Sequence, residues 1–391
     1  MGRIGIYGGT FDPPHMGHIC AAKAAIDALG LEELLVIPDR IAPHKTIPAG
    51  SPGPEQRLAM TALAFQGDPR IRVSDMELRR EGTSYTYETV EALARQYPDR
   101  ALVLLVGTDM FLSFFDWKHP EKILSKVTLG VLYRGDRGEA EAIEAQKARL
   151  EGMGHSVELV RNPVIPISST DLRRMIVFRC AGSFLPPAVA AYIQEHGLYG
   201  TGRDYRDLPM EELERVVVSL LKKSRVAHVL GCRDTAVDLA RHWGADVTDA
   251  ARAGILHDIT KALDGPLQLT LCREYGTMLS DFSKKYPKTL HALTGSLVAR
   301  EVFGENEAVV TAIRSHTTGR GGMSLLEKIV YVADYMEPNR DFPGVERLRA
   351  LAYQDMDAAL KLGLEMTLEH LARQGSQVSP QTRQALAELN G

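Results

Sequence analysis

The sequence predicts an α/β first half, built on a doubly wound parallel sheet, followed by an all-α second half. Three observations point there. Short apolar runs alternate with helical patterns as far as about residue 200. Beyond that point the apolar residues recur almost everywhere at helical spacing. At 391 residues the chain can also support two or three cores, since domains usually run to about 100–200 residues.

The elements follow in order. Residues 3–7 form a compact apolar strand, and the Ala-rich stretch 17–29 reads as a helix ending near Gly30. A strand is expected at 33–37, a helix at 56–65, a strand at 71–74 and a helix at 87–96. Residues 101–106 and 127–133 are nearly continuous hydrophobic runs, as expected of strands covered on both faces, and 157–159 adds one more. Strands alternating with helices imply parallel pairing. Gly200-Thr201-Gly202 is a plausible hinge, which divides the chain into domains 1–202 and 203–391. Helices are then expected at 210–222, 234–243, 247–259, 290–303, 307–315, 325–336 and 354–371. No internal repeat or low-complexity segment interrupts them.

Composition narrows the function classes. With 45% hydrophobic and 25% charged residues and a net charge of −4, the chain is an ordinary globular protein, not a binder of nucleic acid or of anionic membranes. Cys20, Cys180, Cys232 and Cys272 are scattered, with no C-x-x-C pair, which suits free thiols in a reducing cytoplasm. The first residues read as a strand, not a signal peptide, and no apolar run approaches about 18 residues, so a cytoplasmic location is expected.

Two groups of residues carry chemistry. The first is Gly8-Gly9-Thr10-Phe11-Asp12-Pro13-Pro14-His15-Met16-Gly17-His18, between the first strand and the first helix. Glycines there allow a tight turn and let phosphate oxygens reach the amides, while the helix N-terminus favours an anion. His15 and His18 lie three residues apart, so both can face one phosphate chain. A bare glycine turn with incidental histidines is the plainer alternative, and the Asp-Pro-Pro insert with the His-x-Gly-His spacing argues against it. The pattern is neither the G-x-G-x-x-G dinucleotide fingerprint nor a G-K-[ST] phosphate loop.

The second group is an ordered set of histidines and carboxylates: His228, His257-Asp258, His291, His316 and Asp334. Asp334 interrupts the otherwise apolar Ile329-Val330-Tyr331-Val332-Ala333, where a carboxylate is costly unless paired or bound to a cation. Nitrogen and oxygen ligands without a cysteine cluster suit iron, manganese, zinc or nickel, and such ions activate water and polarise phosphoryl groups.

The first motif, together with Ile167-Ser168-Ser169-Thr170-Asp171-Leu172-Arg173, resembles the nucleotidyltransferase superfamily with the HxGH signature. Pro43-His44-Lys45, Ser84-Tyr85-Thr86 and Gly107-Thr108-Asp109 followed by Trp117 narrow the resemblance to bacterial nicotinate-mononucleotide adenylyltransferases, over residues 1 to about 200. It implies a Rossmann-like domain that transfers AMP from ATP, with Mg²⁺, to nicotinate mononucleotide. Gly8, Gly9, Thr10 and Phe11 would form the cradle, with His15 and His18 on the triphosphate and Ser169, Thr170 and Arg173 at its far end. Lys45 would supply a further cation, and Thr86, Asp109 and Trp117 the nicotinate-nucleotide side, Trp117 stacking on the pyridine ring. Ser169-Thr170 would also serve as a helix N-cap. Ile41-Ala42 stands where a second proline is expected before Pro43, which bears on loop stiffness.

Ala227-His228-Val229-Leu230-Gly231, Leu256-His257-Asp258-Ile259-Thr260-Lys261, His316-Thr317-Thr318-Gly319 and Ala333-Asp334-Tyr335-Met336-Glu337-Pro338-Asn339-Arg340 resemble the YqeK-type HD phosphohydrolases, over about 206–390. This implies symmetric hydrolysis of diadenosine tetraphosphate to two ADP. His228, His257, Asp258 and Asp334 would hold iron or another transition ion. His291 and His316 would complete a second metal position or hold phosphates, and Arg340 and Lys261 are candidate phosphate partners. A regulatory nucleotide-binding module, or a nucleotidase of other specificity, are the alternatives. A homo-oligomer is compatible with either.

Overall fold

The structure is a computed structural model, and it describes residues 2–43, 48, 50–133, 137–162 and 165–390, with Arg137 and Lys288 described by backbone alone. The chain divides into two compact units, Met1–Arg203 and Asp204–Gly391. Among the described residues no helix is long and apolar enough to cross a membrane.

In the first unit β1 (Arg3–Gly9), β2 (Glu33–Pro38), β3 (Ile71–Val73), β4 (Ala101–Gly107), β5 (Val127–Tyr133) and β6 (Val157–Arg161) form one sheet. All neighbours are parallel, in the order β3-β2-β1-β4-β5-β6. Ile4 stands opposite Glu33 on one side and Leu102 on the other. Leu102 to Val106 are all buried, because helices cover both faces. The connecting helices are α1 (Met16–Leu29), α2 (Pro54–Phe65), α3 (Thr86–Gln96), α4 (Thr108–Leu112), α5 (Pro120–Leu124), α6 (Arg137–Gly152), α7 (Ser169–Val177) and α8 (Pro187–Glu195). Strand order reverses between β1 and β4. That switch point opens a crevice beyond their C-terminal ends, where such sheets bind ligands.

The second unit is helical throughout its described residues. It holds α9 (Met210–Leu220), α10 (Lys223–Trp243), α11 (Val247–Leu256), α12 (Gly265–Glu274), α13 (Asp281–Lys285) and α14 (Leu290–Glu301). After them come α15 (Glu307–Ser315), α16 (Leu325–Met336), α17 (Val345–Ala352), α18 (Met356–Arg373) and α19 (Pro380–Leu389). Helices α10, α11, α15 and α16 pack on one another around Val229, Ala253, Ile313 and Val330, all essentially inaccessible.

Most boundaries shift by one or two residues, and three differences bear on the sites. Helix α10 starts at Lys223, not 234, because the half-buried Arg225 and the buried His228 interrupt its apolar stripe. Helix α11 stops at Leu256, not 259, so His257-Asp258 lie at its end and in the turn beyond. Helix α7 is capped by Ser168, whose side chain accepts from the Asp171 amide, and not by Ser169 or Thr170.

Candidate active sites: a phosphate cradle and a metal centre

Strand β1 ends in Gly8 and Gly9 and delivers the chain into Thr10 and Phe11, the latter at φ 48°. The His-x-Gly-His spacing then closes on itself. His15 is the N-cap of α1: its Nδ1 accepts from the Gly17 amide (3.1 Å), and its own amide donates to His18 Nδ1 (3.2 Å). Both imidazoles therefore carry their proton on Nε2. The rings lie 3.7 Å apart at 34°. A Cβ on Gly17 would sit 2.9 Å from the His15 ring, so glycine is required there. The result is two aligned N–H donors beside a helix N-terminus, suited to a polyphosphate.

A buried polar scaffold holds this turn. Arg57, fully buried, donates to Thr10 O (2.7 Å), Asp39 Oδ1 (3.1 Å), Asp39 O (2.8 Å) and Arg40 O (3.1 Å). Asp39 in turn accepts from Thr10 Oγ1 at 2.8 Å. Asp12, also buried, gathers Ser51 Oγ (2.9 Å), Tyr199 Oη (2.8 Å) and Arg173 NH1 (3.3 Å) on its carboxylate. Arg173 further donates to Asp12 O (2.7 Å) and Thr170 Oγ1 (3.1 Å), while Ser169 Oγ reaches Pro13 O at 3.4 Å.

Beside the cradle lies a cavity of about 180 Å³ at the β1/β4 switch point. Gly8, Gly9, Thr10, Thr86, Trp117 and Lys118 are among its walls. Lys118 rests 4.0 Å from the Tyr85 ring centre, and Trp117 packs on Phe114 at 5.1 Å. Asp109 is exposed on α4 and is not a lining residue. Its carboxylate does lie close to Gly107, where a Cβ would be 3.2 Å away. His44 and Lys45 lie outside the described residues.

In the second unit four imidazoles and two carboxylates meet. His257 Nε2 is 3.3 Å from His228 Nε2, and His291 Nε2 is 3.2 Å from His316 Nε2. Asp258 spans the two pairs. Its Oδ2 lies 3.6 Å from both His228 and His257, and its Oδ1 lies 3.4 Å from His291 and 3.8 Å from His316. Asp334 Oδ1 is 3.1 Å from His228 Nε2 and 3.9 Å from His257 Nε2. The trios His228–His257–Asp334 and His257–Asp258–His316 each offer ligand atoms within 4.8 Å of one another.

Protonation suits a metal. Burial holds the His257 imidazole well below its ordinary range and pushes His316 down to about 4, so both are neutral ligands at pH 7. Their Nδ1 atoms face Gly254 O (2.8 Å) and Ile313 O (2.6 Å), which turns both Nε2 atoms inward. Burial opposes ionisation of Asp334, yet its hydrogen bond with His228 and nearby positive charge hold it well below the carboxylate range. Because His257 is neutral, the cation in direct contact is Arg340, 2.6 Å away. Lys261 is exposed along its stem, but desolvation of its ammonium against the site brings it down to about 8, and its Nζ lies 3.0 Å from His291 Nε2. Buried, neutral nitrogen donors with two carboxylates fit a divalent transition ion.

A family model described as cytidylyltransferase-like matches residues 6–175, and one described as the HD domain matches residues 225–339. A probable nicotinate-nucleotide adenylyltransferase of Symbiobacterium thermophilum is 37% identical over 211 residues, covering 53% of this chain and 100% of that protein. A second, from Neisseria meningitidis serogroup C, is 36% identical over 204 residues, covering 51% and 99%. The chain belongs to the nicotinate-nucleotide adenylyltransferase family. Its second half carries an HD domain. A crystal structure from Clostridium acetobutylicum, described as a "predicted HD superfamily hydrolase involved in NAD metabolism", is 37% identical, with a TM-score of 0.46, covering 47% of this chain and 97% of that one.

Sequence reasoning missed several residues at these sites. Arg57 in the adenylyltransferase half looks in sequence like any solvent-facing helical arginine, and only its burial reveals the tie to Thr10 and Asp39. Asp12 was legible only as part of a motif, and Tyr199 gave no signal of bonding to it. In the HD half, Arg225 pairs directly with Asp258 and Glu337 contacts His228 Nδ1 at 3.1 Å. Both lie within three residues of a ligand in the chain, and that proximity was the available clue.

Proposed function

We propose that the chain is a bifunctional enzyme. Its first half transfers AMP from ATP to nicotinate mononucleotide, releasing pyrophosphate, and its second half hydrolyses diadenosine tetraphosphate symmetrically to two ADP. Family membership supports the first activity, and the named relatives carry it in their descriptions. The single observation behind the second is the convergence of His228, His257, His291 and His316 on both oxygens of Asp258.

In the first reaction the acceptor phosphate attacks the α-phosphorus of ATP. A new P–O bond forms as the α–β bridging bond breaks and pyrophosphate leaves. The acceptor is already an anion, so no base is needed. The enzyme must align repelling anions and neutralise charge on the departing group. The Nε2–H groups of His15 and His18 serve as donors there, with Arg173 oriented by Asp12. Mg²⁺ would arrive with ATP as part of the substrate.

In the second site, His228, His257, Asp258 and Asp334 would hold one divalent ion, and Asp258 would reach with His291 and His316 toward a second. Such ions supply an activated water and polarise the scissile phosphoryl group. Arg340 and Lys261, and now Arg225, would receive phosphate oxygens at the rim. Chelator-stripped whole protein, reloaded with Mn²⁺, Fe²⁺ or Co²⁺, should convert diadenosine tetraphosphate to ADP alone. AMP with ATP as products, or preference for a nucleoside monophosphate, would replace this reading with a different hydrolase.

A further inference from the structure

We propose that Glu337 is the positioning residue for His228, and that Gly231 is glycine in order to admit it. This deepens the reading of the second site as a metal centre and rests on it. His257 and His316 are each oriented by the carbonyl three residues earlier in the chain, Gly254 O and Ile313 O. His228 has a different partner, since it sits inside α10, and its Nδ1 lies 3.1 Å from Glu337 Oε1. Glu337 closes α16 three residues beyond Asp334 and is 1% exposed.

The carboxylate is gripped at both ends. Its second oxygen accepts from the Asn339 amide (2.7 Å) and from Asn339 Nδ2 (2.8 Å). Asn339 Nδ2 also donates to Ala227 O in α10 at 3.1 Å, and Arg349 NH2 holds the Glu337 carbonyl at 2.9 Å. A carboxylate fixed this way accepts the Nδ1–H of His228. With an ion bound, that would free the Nε2 lone pair for it, beside Asp334 (3.1 Å) and His257 (3.3 Å). Carboxylate–histidine–metal chains of this kind set both tautomer and ring orientation.

Gly231 lies one turn beyond His228 on the same helix. A Cβ there would collide with Glu337 Oε2 and come within 3.1 Å of Asn339 Nδ2. Glycine is disfavoured relative to alanine inside a helix, and α10 runs for 21 residues around this one. Space for Glu337 explains the exception, and it links His228-Val229-Leu230-Gly231 to Met336-Glu337-Pro338-Asn339. The two segments are far apart in sequence but form one device.

The test is calorimetric titration of the chelator-stripped whole protein with Mn²⁺, Co²⁺ and Zn²⁺, using whichever ion the wild type binds most tightly. Glu337→Gln should weaken that binding about 10–100-fold, the range seen when such outer partners are lost. Gly231→Ala should weaken it in the same direction although alanine is the better helix former, and its metal-free melting temperature should not fall. Both variants should keep wild-type adenylyl transfer, and retention of the second unit's own calorimetric unfolding transition should report that this unit is folded. If Glu337→Gln does not fold, Gly231→Ala decides. Metal affinity within about twofold of wild type in the folded variants would overturn the assignment of Glu337. If the wild type takes up none of the three ions, the metal-centre reading falls first and this inference with it.

Discussion

Replacing Arg57 by methionine tests whether the phosphate cradle depends on its buried scaffold. Methionine keeps most of the volume and removes only the guanidinium. The change strands Asp39, whose side chain is 11% exposed, and releases Thr10 O, Asp39 O and Arg40 O. Removing one partner of a buried ion pair costs about 3–5 kcal/mol. For a unit of this size each kcal/mol lowers the melting temperature by roughly 2–4 °C, so the first unit should melt roughly 6–20 °C lower. Scanning calorimetry on the whole chain reads this directly, the relevant transition being the one that ATP shifts upward. Because Arg57 also anchors the carbonyl of Thr10, adenylyl transfer should fall on the order of 10²-fold, as for small misplacements of binding groups. A transition within about 2 °C of wild type, with unchanged turnover, would refute the scaffold's role.

Other expectations follow from the same geometry. His18→Ala removes one of the paired Nε2–H donors and should cost adenylyl transfer about 10²–10³-fold, measured as pyrophosphate release, while diadenosine tetraphosphate hydrolysis persists. Equal loss of both activities would show that the sites are not separate. Asp258→Asn should strip the protein of its transition ion by elemental analysis and abolish hydrolysis, with adenylyl transfer retained. Burial raises the Glu77 carboxyl above its ordinary 4.5, even though hydrogen bonds from Thr89 and Ser84 and the charge of Arg80 pull it down. A raised folded-state pKa means its stabilising contribution is complete below about pH 4.5 and lost as pH rises through the folded value. Glu77→Gln should therefore melt higher than wild type at pH 8, with the gap closing toward pH 4. A constant gap across that range would exclude titration as the cause.

Much of the fold was legible because burial on both faces writes itself into the strands. Residues 101–106 and 127–133 could be little else, and their pairing in β4 and β5 follows. Helix α6 was not legible. Its sequence is rich in Glu, Ala, Lys and Arg, and among its described side chains only Ile143 and Leu150 are buried, so the apolar stripe is too thin to see. The start of α10 was hidden for the opposite reason, since Arg225, His228 and Gly231 serve the site and break the apolar period. The energetic cost of placing Asp334 in an apolar helix marked that residue from sequence alone. Arg57 and Glu337 carry no such mark. Each is an ordinary charged residue until a partner distant in sequence makes it buried and bonded, 18 residues away for Asp39 and 109 for His228.

The most direct test of the two-site account is one crystal of the whole chain grown with a non-hydrolysable ATP analogue and measured across metal absorption edges. The account predicts triphosphate density against Gly8, Gly9 and the Nε2 atoms of His15 and His18. It also predicts an anomalous peak at about 2.0–2.2 Å from the ligand atoms of His228, His257, Asp258 and Asp334. Triphosphate bound among the second unit's histidines instead, with no anomalous signal there, would contradict it.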